Sequence, residues 1–396
     1  MKKFTSFIVP IISFLAICFL LFIFTFYVDG EMGIILIFFT FFAPIVSILL
    51  TLIGRNKIEI SIENEIYAKK GETVNVKIKL SKKTLLPIGF VEIHTDVSEN
   101  FHQQHSVYRT AASFEKKSEI IHSLSALYGG YGFFGIRQVY VCDYLGFLKF
   151  KIKAEIPAIS NIGVIPEIPQ ISASTELFRT INNVVVTSDD EEENNSALAF
   201  SANTFPGYEH REYIEGDSLK RINWKISSKR NKLMVRLDEA ISSVQPVVVF
   251  DLYREKNNNP KGAVMREEHL YESVFGLLTL FIKHGIGCKF IHCDASGKIC
   301  ESIVENEDTL NQILFALLTV PVLTDNPIDY NKIDIGGACA VIAAVPFIST
   351  NYVSALDCIR NKNNSCAIVA DTINTVSVPS YDIWFMDENN DFKLVK

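Results

Sequence analysis

The sequence predicts three structural classes in one chain: an N-terminal two-helix transmembrane hairpin, a β-sandwich of immunoglobulin-like size, and a C-terminal α/β domain with a doubly wound sheet. Three changes in apolar periodicity support this division. Two long apolar runs come first, period-two alternation follows them, and strand-like runs then alternate with helix-like runs. The predicted boundaries are 1–54 for the hairpin, 55–160 for the sandwich, 161–244 for an acidic linker with a motif-rich segment, and 245–396 for the α/β domain.

The composition limits the classes of function open to the 396-residue chain. Its net charge of −7 argues against a nucleic-acid partner, because binding to phosphates requires a positive field. Its eight cysteines are dispersed, form no Cys-x-x-Cys pair and lie mostly in apolar runs. We therefore expect reduced, buried thiols in a cytosolic environment.

Two apolar runs, Phe4–Val28 and Gly33–Ile53, are each long enough to cross a bilayer core, which requires about 20 residues. The polar turn between them is short, so we expect a tight hairpin. Lysines precede the first run, Arg55 and Lys57 follow the second, and the turn carries only acids. The positive-inside rule therefore places both termini in the cytoplasm and predicts a multi-pass protein of the plasma membrane. A cleavable signal peptide is the alternative, and the length of the first run argues against it.

From Lys57 the apolar residues alternate with polar ones, which is typical of half-buried antiparallel strands. Further strands are predicted at Gly89–Asp96, Lys117–Ser123, Gly135–Asp143 and Phe147–Ala154. About six short strands over about 100 residues indicate a sandwich of immunoglobulin-like size. The glycine-rich run Tyr128–Gly135 is predicted to be a turn between strands, since no Gly-Lys-Ser/Thr leads from it into a helix.

From Gln245 onward, apolar runs alternate with helical patterns, as in a doubly wound sheet. The first run, Pro246–Leu252, resembles a buried parallel strand that ends in an acid. Later strands are predicted at Cys288–Cys293, Ala338–Val345, Ser365–Ala370 and Ile383–Met386, and helices at Arg266–Lys283, Asp308–Leu318 and Asn351–Arg360. Because no Gly-x-Gly-x-x-Gly fingerprint follows this first strand and the sequence contains no Gly-x-Ser-x-Gly motif, we expect neither a dinucleotide cofactor nor a serine nucleophile.

The segment Phe205–Leu237 combines turn signals, acids, cations and aromatic residues in one stretch and is the most informative part of the chain. It follows an acidic run, Ser188–Ser196, that is predicted to be a solvated loop. Pro206-Gly207 is expected to break the chain, and Gly216-Asp217 to deliver a helix N-cap. After that cap, Leu219, Ile222 and Ile226 have helical spacing, and Leu233–Leu237 alternates as a strand does.

Several unlike residues at fixed offsets give this segment its signature: Gly-x-Glu-x-x-x-x-Tyr, then Gly-Asp, Arg-Ile-Asn-Trp-Lys and Leu-x-Val-Arg. The pattern resembles that of the domain-of-unknown-function 58 family. Cys142–Phe147 resembles an Asp-Pro-Phe-Gly-Leu-like element of the same family, with Tyr144 in place of the proline. The signature residues that we expect to form a structural joint or a partner-binding surface are Gly207, Glu209, Tyr213, Gly216, Asp217, Arg221, Asn223, Trp224, Lys225 and Arg236.

The resemblance implies a von Willebrand A-like, Rossmann-like fold for the C-terminal domain. In such domains an Asp-x-Ser-x-Ser motif after the first strand binds Mg²⁺ through carboxylate and hydroxyl oxygens. Here the corresponding run begins with Asp251, but Tyr253 and Glu255 replace the serines and Arg254 adds a positive charge. We therefore expect a degenerate site without metal, in which Asp251 holds a loop.

The resulting functional hypothesis is a membrane-anchored, non-enzymatic scaffold or adaptor at the cytoplasmic face. The resemblance implies a MoxR-type AAA+ ATPase partner, or a transglutaminase-like membrane protein, in complex assembly or envelope maintenance. One alternative is a hydrolase that uses the acids of Glu209–Asp217, and another is a sensor of anionic lipid that uses Lys220–Lys232. Trp224 is expected to pack against the domain core, although a partner-binding role stays open.

Overall fold

The computed structural model of the chain forms two compact units. The first unit comprises Met1–Glu167, Asn259–Glu268 and Phe315–Pro321. The second unit comprises Ile168–Asn258, His269–Leu314 and Val322–Lys396.

The structure describes the chain outside residues 1, 85, 103–105, 113–116, 153–158, 186–203, 214–221, 231, 241–244, 255–259, 295, 322, 325–327, 334, 336–337, 339, 361–363, 377, 379–380 and 396. Side chains are also left out at residues 2–10, 112, 204–211, 236–240, 323–324, 331, 351, 357–360 and 364. The predicted acidic loop therefore lies outside the described residues.

The first unit begins with two apolar helices, α1 (Lys2–Tyr27) and α2 (Gly30–Gly54). The Asp29 carboxylate caps α2 by accepting hydrogen bonds from two backbone N–H groups of its first turn, at 3.0 and 3.2 Å. The helices pack through the rings of Phe14 and Phe41, whose centroids are 5.9 Å apart. Within the described residues, Gly30–Lys57 is the one helical stretch long and apolar enough to cross a bilayer, whereas the apolar stretch Ile11–Tyr27 is shorter.

The strands that follow form two sheets. The strands are β1 (Ile58–Glu63), β2 (Tyr67–Lys69), β3 (Thr73–Lys82), β4 (Ile88–Val97), β5 (Val107–Ala112), β6 (Lys117–Ser125), β7 (Gly130–Cys142), β8 (Lys149–Lys151) and β9 (Ile159–Ile165). One sheet has the order β1-β3-β6, and the other has the order β2-β9-β7-β4-β5 with β8 paired to β7. Alternate residues of these strands, such as Val76, Ile78 and Leu80, are buried in one hydrophobic core.

The predicted glycine-rich turn is wrong, because β7 begins at Gly130 and runs through most of it. The glycines allow close packing inside the sheet rather than a turn. A Cβ atom on Gly132 would lie 2.8 Å from the carbonyl oxygen of Ile162 and 2.9 Å from the ring of Phe101. The strand predicted at Phe147–Ala154 is also shorter than expected, since β8 covers only Lys149–Lys151 among the described residues.

Glu92 on β4 is a buried carboxylate with three cationic or titratable partners. His94 Nε2, Arg109 Nε and Lys149 Nζ each lie 2.9 Å from one of its oxygens. Burial raises the pKa of Glu92, but the hydrogen bonds from Lys149, His94 and Arg109 outweigh burial and bring the pKa from 4.5 to about 2. The folded state therefore gains stability from this carboxylate above pH 4.5 and loses it as the pH falls towards 2.

The second unit contains a helical stretch at residues 176–185 (α3), helices α4 (Trp224–Arg230), α5 (Pro260–Lys283, whose first turns belong to the first unit), α6 (Glu307–Leu318, likewise shared) and α7 (Thr350–Arg360). Its strands are β10 (Thr204–Glu212), β11 (Met234–Ala240), β12 (Val247–Phe250), β13 (Tyr253–Arg254), β14 (Cys288–Cys293), β15 (Ile299–Val304), β16 (Leu323–Thr324), β17 (Ala340–Val345), β18 (Asn364–Val369), β19 (Asp382–Met386) and β20 (Phe392–Leu394).

Seven of these strands form a sheet with the order β15-β14-β12-β17-β18-β19-β20. The five inner strands are parallel, and the two edge strands, β15 and β20, are antiparallel to their neighbours. One face packs against Tyr352 and Leu356 of α7. On the other face the ring of Phe250 contacts the rings of Tyr271 and Phe275 of α5, with centroid distances of 5.1 and 6.2 Å. Helices thus cover both faces of the sheet, as in doubly wound folds.

The inner strands and the helices follow the predicted order, with two differences. Helix α5 begins at Pro260, six residues before the predicted start, because proline is well suited to the first turn of a helix. The edge strands β15 and β20 were not predicted. Both are short and half-exposed, so neither has the continuous apolar run that marks a buried strand.

We predict that Glu92→Gln lowers the thermal stability of the full chain in detergent at pH 7, because the neutral amide no longer attracts Lys149 and Arg109 from a buried position. Circular dichroism at several pH values measures the effect, which should shrink as the pH approaches 2. Glu63→Gln is the matched control, since the Glu63–Lys79 pair is exposed and contributes little. Equal melting temperatures for the Glu92 variant and the parent would contradict the prediction.

Candidate functional site

The signature segment is centred on a two-stranded antiparallel ribbon, β10 and β11. Pro206 pairs with Asp238, and His210 pairs with Arg236, with a register shift between the two pairs. Gly207 and Glu209 therefore lie at an irregularity of the ribbon, where a strand bends and twists. The predicted chain break at Pro206-Gly207 is wrong, because β10 continues through it.

Helix α4 begins at Trp224, later than predicted. Ile222 forms an isolated bridge with Val235 of β11, so it belongs to the extended chain before the helix. The Asn223 side chain caps α4 by accepting a hydrogen bond from the Ile226 N–H group at 3.3 Å. The predicted cap, Asp217, lies outside the described residues, as do Gly216 and Arg221. The N-cap could have been predicted at Asn223 from the sequence, since asparagine is a preferred N-cap residue.

A buried serine fastens α4 to β11. The Ser227 hydroxyl accepts a hydrogen bond from the Met234 N–H group at 2.8 Å and donates to the Asn223 carbonyl oxygen at 2.8 Å. The Asn223 N–H group in turn donates to the Met234 carbonyl oxygen at 2.9 Å. Because Ile222, Met234 and Ser227 are buried, these bonds are shielded from water. The helix is therefore held in a fixed position on the ribbon.

The outer surface of α4 carries an exposed aromatic side chain among cations. Trp224 is 67% exposed, so the prediction that it packs against the core is wrong. Lys225, Lys229 and Arg230 are also exposed. We call these four residues the α4 surface. Tryptophan and arginine are the residue types that most often anchor protein interfaces.

The signature residue Tyr213 and its neighbour Glu212 lie at the end of the ribbon. Tyr213 continues the ribbon, since its N–H group donates to the Leu233 carbonyl oxygen at 2.8 Å. Glu212 pairs with Lys232 at 2.5 Å, and both side chains are 62% exposed. Such exposed pairs contribute little to stability, so the pair is better understood as part of a solvated rim.

Asp251 follows β12 and is buried, with 3% of its surface exposed. Its Oδ2 atom accepts hydrogen bonds from the Ile328 N–H group at 2.9 Å and from the Tyr352 hydroxyl at 3.1 Å. The Tyr352 hydroxyl is also hydrogen-bonded to the Tyr330 hydroxyl. Asp251 therefore holds a loop, as expected, and its carboxylate is occupied by protein donors.

The hydroxyl groups around Asp251 come from tyrosines that are distant in sequence. Tyr253 occupies the first serine position of the metal motif, but its hydroxyl donates to the Phe347 carbonyl oxygen at 2.8 Å. Its ring stacks on that of Tyr352, with centroids 5.6 Å apart. Throughout the part of the chain that the structure describes, no three His, Cys, Asp or Glu side chains are grouped closely enough to hold a metal ion.

Burial changes the acidity of the Asp251 carboxyl group. It raises the pKa from 3.8 to about 6, and the bonds from Ile328 and Tyr352 oppose that rise only in part. Tyr330 and Tyr352 have pKa values raised well above 10, chiefly by burial, so both phenols keep their protons. The sequence did not predict this tyrosine cluster, because its members lie up to a hundred residues from Asp251.

The cysteine prediction is correct for some residues and wrong for others. Cys142 and Cys288 are buried, and the six cysteines whose side chains the structure describes are free thiols. Cys18, Cys293, Cys300 and Cys366 are only partly buried. Burial nevertheless raises the pKa of the Cys293 thiol to about 11, which is opposite to the shift that a nucleophilic cysteine requires.

No family model matches the chain, and no curated protein matches it significantly. Among solved structures, the CARDB domain of a Pyrococcus furiosus protein is 6% identical over 28% of this chain and 94% of that one, with a TM-score of 0.22. A cohesin module from a Clostridium perfringens glycoside hydrolase is 7% identical over 28% and 99%, with a TM-score of 0.23. Escherichia coli alpha-2-macroglobulin is 14% identical over 29% and 18%, with a TM-score of 0.23.

We predict that Ser227→Ala loosens α4 from β11, because it leaves the buried Met234 N–H group without its acceptor at a cost of about 1–3 kcal/mol. Hydrogen exchange of the Trp224–Val235 peptide, measured by mass spectrometry on the detergent-solubilised chain, should become faster. Ser228→Ala is the control, since that hydroxyl is exposed and water replaces its bond to the Lys225 carbonyl oxygen. Unchanged exchange in the Ser227 variant would contradict this account.

We predict that Asp251→Asn flattens the pH dependence of stability. The Asp251 carboxyl group holds its proton up to about pH 6 in the folded state but only up to about pH 3.8 in the unfolded state. The parent therefore loses stability as the pH rises from 3.8 to about 6. That loss amounts to roughly 3 kcal/mol and should vanish in the variant. Urea unfolding in detergent measures it through buried Trp384, in a Trp224→Phe background that leaves one tryptophan.

Tyr352→Phe provides a second measurement on the same carboxyl group. Loss of the phenol donor removes a bond that favours the charged form, so the upper limit of the pH window should rise while its lower limit, set by the unfolded chain, stays the same. A parent whose stability is flat between pH 4 and 7, or an Asp251→Asn variant with the same slope as the parent, would overturn the assignment.

Proposed function

We propose that the chain is a membrane-anchored scaffold or adaptor that binds a protein partner through the α4 surface. The single observation that carries the proposal is the exposure of Trp224 on a helix that is itself firmly held. An indole exposed to water forfeits the free energy that burial would provide, and a partner that covers it recovers that free energy. Tryptophan and arginine are the residue types most enriched among interface hot spots.

The attachment of α4 makes it suitable as a recognition element. Asn223 caps the helix and Ser227 ties it to β11, so little conformational entropy is lost when a partner binds. Lys225, Lys229 and Arg230 give this short helix a local positive charge in a chain whose net charge is −7. This local charge favours a partner with an acidic surface, which it would also steer during association.

The apolar helices support the membrane anchor. Phe38, Phe39 and Phe42 of α2 are about half or more exposed, and Phe19 and Phe22 of α1 are exposed in the same way. A soluble protein rarely exposes so large an apolar surface, whereas acyl chains would cover it. In this proposal the two helices form the anchoring hairpin, and both termini lie at the cytoplasmic face.

The α/β part of the second unit supports a von Willebrand A-like assignment. If β12 is counted as the first strand, the order from β15 to β19 is 3-2-1-4-5-6, which occurs in doubly wound folds. The third strand, β15, is antiparallel to its neighbour. The engagement of Asp251 by Ile328 and Tyr352 favours a domain that works without a metal ion. Binding, rather than metal-dependent adhesion or catalysis, is the role that this arrangement favours.

The resemblance to the domain-of-unknown-function 58 family suggests the identity of the partner. It implies a MoxR-type AAA+ ATPase, or alternatively a transglutaminase-like membrane protein, in complex assembly or envelope maintenance. The proposal therefore has two separable parts, the docking surface and its occupant. An acidic patch on the ATPase would match the cations of the α4 surface.

We predict that Trp224→Ala weakens binding of the full-length chain to the co-expressed AAA+ ATPase by about 30-fold, the loss of roughly 2 kcal/mol typical of an interface hot spot. Affinity is measured by titrating the purified ATPase onto the chain in nanodiscs. Ile373→Ala is the matched control, because Ile373 is an exposed apolar residue of the same unit.

The outcomes distinguish the two parts of the proposal. An equal loss of affinity in Trp224→Ala and Ile373→Ala would show that the α4 surface is not part of the interface. The absence of any ATPase from pull-downs of the parent would reject that partner. Hydrolytic activity of the parent that disappears in Glu209→Ala and Asp217→Ala, without loss of thermal stability, would instead support the hydrolase alternative.

A further inference from the structure

The loop between β7 and β8, Asp143–Leu148, packs along the apolar helices rather than projecting away from them. We call it the Asp143 loop. The Ser47 hydroxyl of α2 donates to Asp143 Oδ2 at 3.2 Å and accepts from the Tyr144 N–H group at 2.9 Å. Further along, the ring of Phe147 contacts that of Phe14 of α1 edge to face, with centroids 5.4 Å apart.

These contacts lie well inside the apolar length of the helices. A helix rises about 1.5 Å per residue, so Ser47 is about 10 Å from the end of α2 at Gly54. Phe41, whose ring contacts Phe14, is about 20 Å from that end and about 16 Å from Gly30. The helices extend past the Asp143 loop by only about half of the roughly 30 Å that a bilayer core requires.

A hairpin that crosses the whole apolar layer therefore carries the Asp143 loop into that layer. If the polar turn at Asp29 reaches the far surface, the apolar layer extends along α2 to about residue 50, past both Phe41 and Ser47. Arg55 and Lys57 then lie at the near surface, where cations contact lipid headgroups. The Arg55 guanidinium lies over the Phe150 ring at 5.9 Å, which places the following strand β8 at that surface as well.

Irregular backbone is tolerated at membrane depth only where its polar groups have partners. In the Asp143 loop, five of the six backbone N–H groups donate to protein oxygens. The fully buried Asp143 carboxylate accepts from the Leu145 N–H group at 3.1 Å and from the Leu148 N–H group at 2.7 Å. The Gly146 N–H group donates to the Asp143 carbonyl oxygen at 3.1 Å, and the Asp143 N–H group donates to the Leu148 carbonyl oxygen at 3.2 Å.

The side chains that the loop leaves exposed are those that suit lipid. Leu145 is 41% exposed, Tyr144 is 36% exposed, and Phe147 is partly exposed. Lys149 follows the loop directly, and its charged side chain is exposed. Tyr144, Leu145 and Phe147 carry no charge, so lipid can cover them without the cost of burying a charged group.

We propose that the tip of the Asp143 loop, Tyr144–Phe147, inserts into the acyl region of the bilayer beside the helical hairpin and makes a third membrane contact. The proposal rests on the membrane anchor described under the proposed function. Its consequence is that the β-sandwich is held in a fixed orientation on the membrane, because two separate apolar elements, the hairpin and the loop, are anchored together.

Quenching of tryptophan fluorescence by lipids brominated in the middle of their acyl chains tests the proposal. The parent is the full chain carrying Trp224→Phe, in which buried Trp384 gives a constant signal that is subtracted. Leu145→Trp reports on the loop. Leu127→Trp is the matched control, since Leu127 is 40% exposed and comes just after the C-terminal end of β6. That end of the β3–β6 pair is about 30 Å along the strands from Lys82, which lies at the opposite end of β3. Phe38→Trp reports on α2 itself.

We expect brominated nanodiscs to quench Leu145→Trp about as strongly as Phe38→Trp and to leave Leu127→Trp unquenched. Iodide in the aqueous phase should give the opposite order. Quenching of Phe38→Trp without quenching of Leu145→Trp would overturn the loop proposal and leave the membrane anchor intact. Failure to quench Phe38→Trp would overturn both. If Leu145→Trp does not fold, Tyr144→Trp repeats the measurement. Quenching of Tyr144→Trp by iodide but not by brominated lipid would also reject insertion of the loop.

Discussion

The interaction that fixes the segments beside the inner strands of both units is a buried carboxylate at the end of a strand, which accepts hydrogen bonds from backbone N–H groups and hydroxyls. In the first unit Asp143 follows β7 and binds two N–H groups of its loop and the Ser47 hydroxyl. In the second unit Asp251 follows β12 and binds the Ile328 N–H group and the Tyr352 hydroxyl. Each carboxylate satisfies donors that would cost about 1–3 kcal/mol if buried alone, so both loops keep one conformation.

The α4 surface and the Asp143 loop, for which we propose binding roles, share a second property: each is a rigid element that presents exposed apolar or aromatic groups. Ser227 and Asn223 hold α4 in place while Trp224 stays exposed. Asp143 holds its loop in place while Leu145 stays exposed. Surfaces of this kind bind partners at a low entropic cost, because the side chains are positioned before binding occurs. The scaffold proposal and the membrane-insertion proposal both follow from this arrangement.

Periodicity was sufficient to predict the elements whose burial is regular. The alternation from Lys57 gave β1 and β3, and the continuous apolar runs gave β12, β14 and β17. Elements that depend on their neighbours were missed. The glycines of β7 suggested a turn because their role, close contact with Phe101 and Ile162, is not visible in the local sequence. Trp224 was expected in the core for a similar reason, since the composition of a seven-residue helix does not show which face is covered.

The sequence by itself determined the division into apolar helices, alternating strands and an α/β region, because those features depend on the spacing of apolar residues along the chain. It also indicated that the metal motif at Asp251 is degenerate, since that judgement requires only the identity of neighbouring residues. The tertiary structure alone decided what surrounds each key side chain. Tyr352 reaches Asp251 and Ser47 reaches Asp143 across about a hundred residues, and such contacts arise only when strand order and helix packing bring distant segments together.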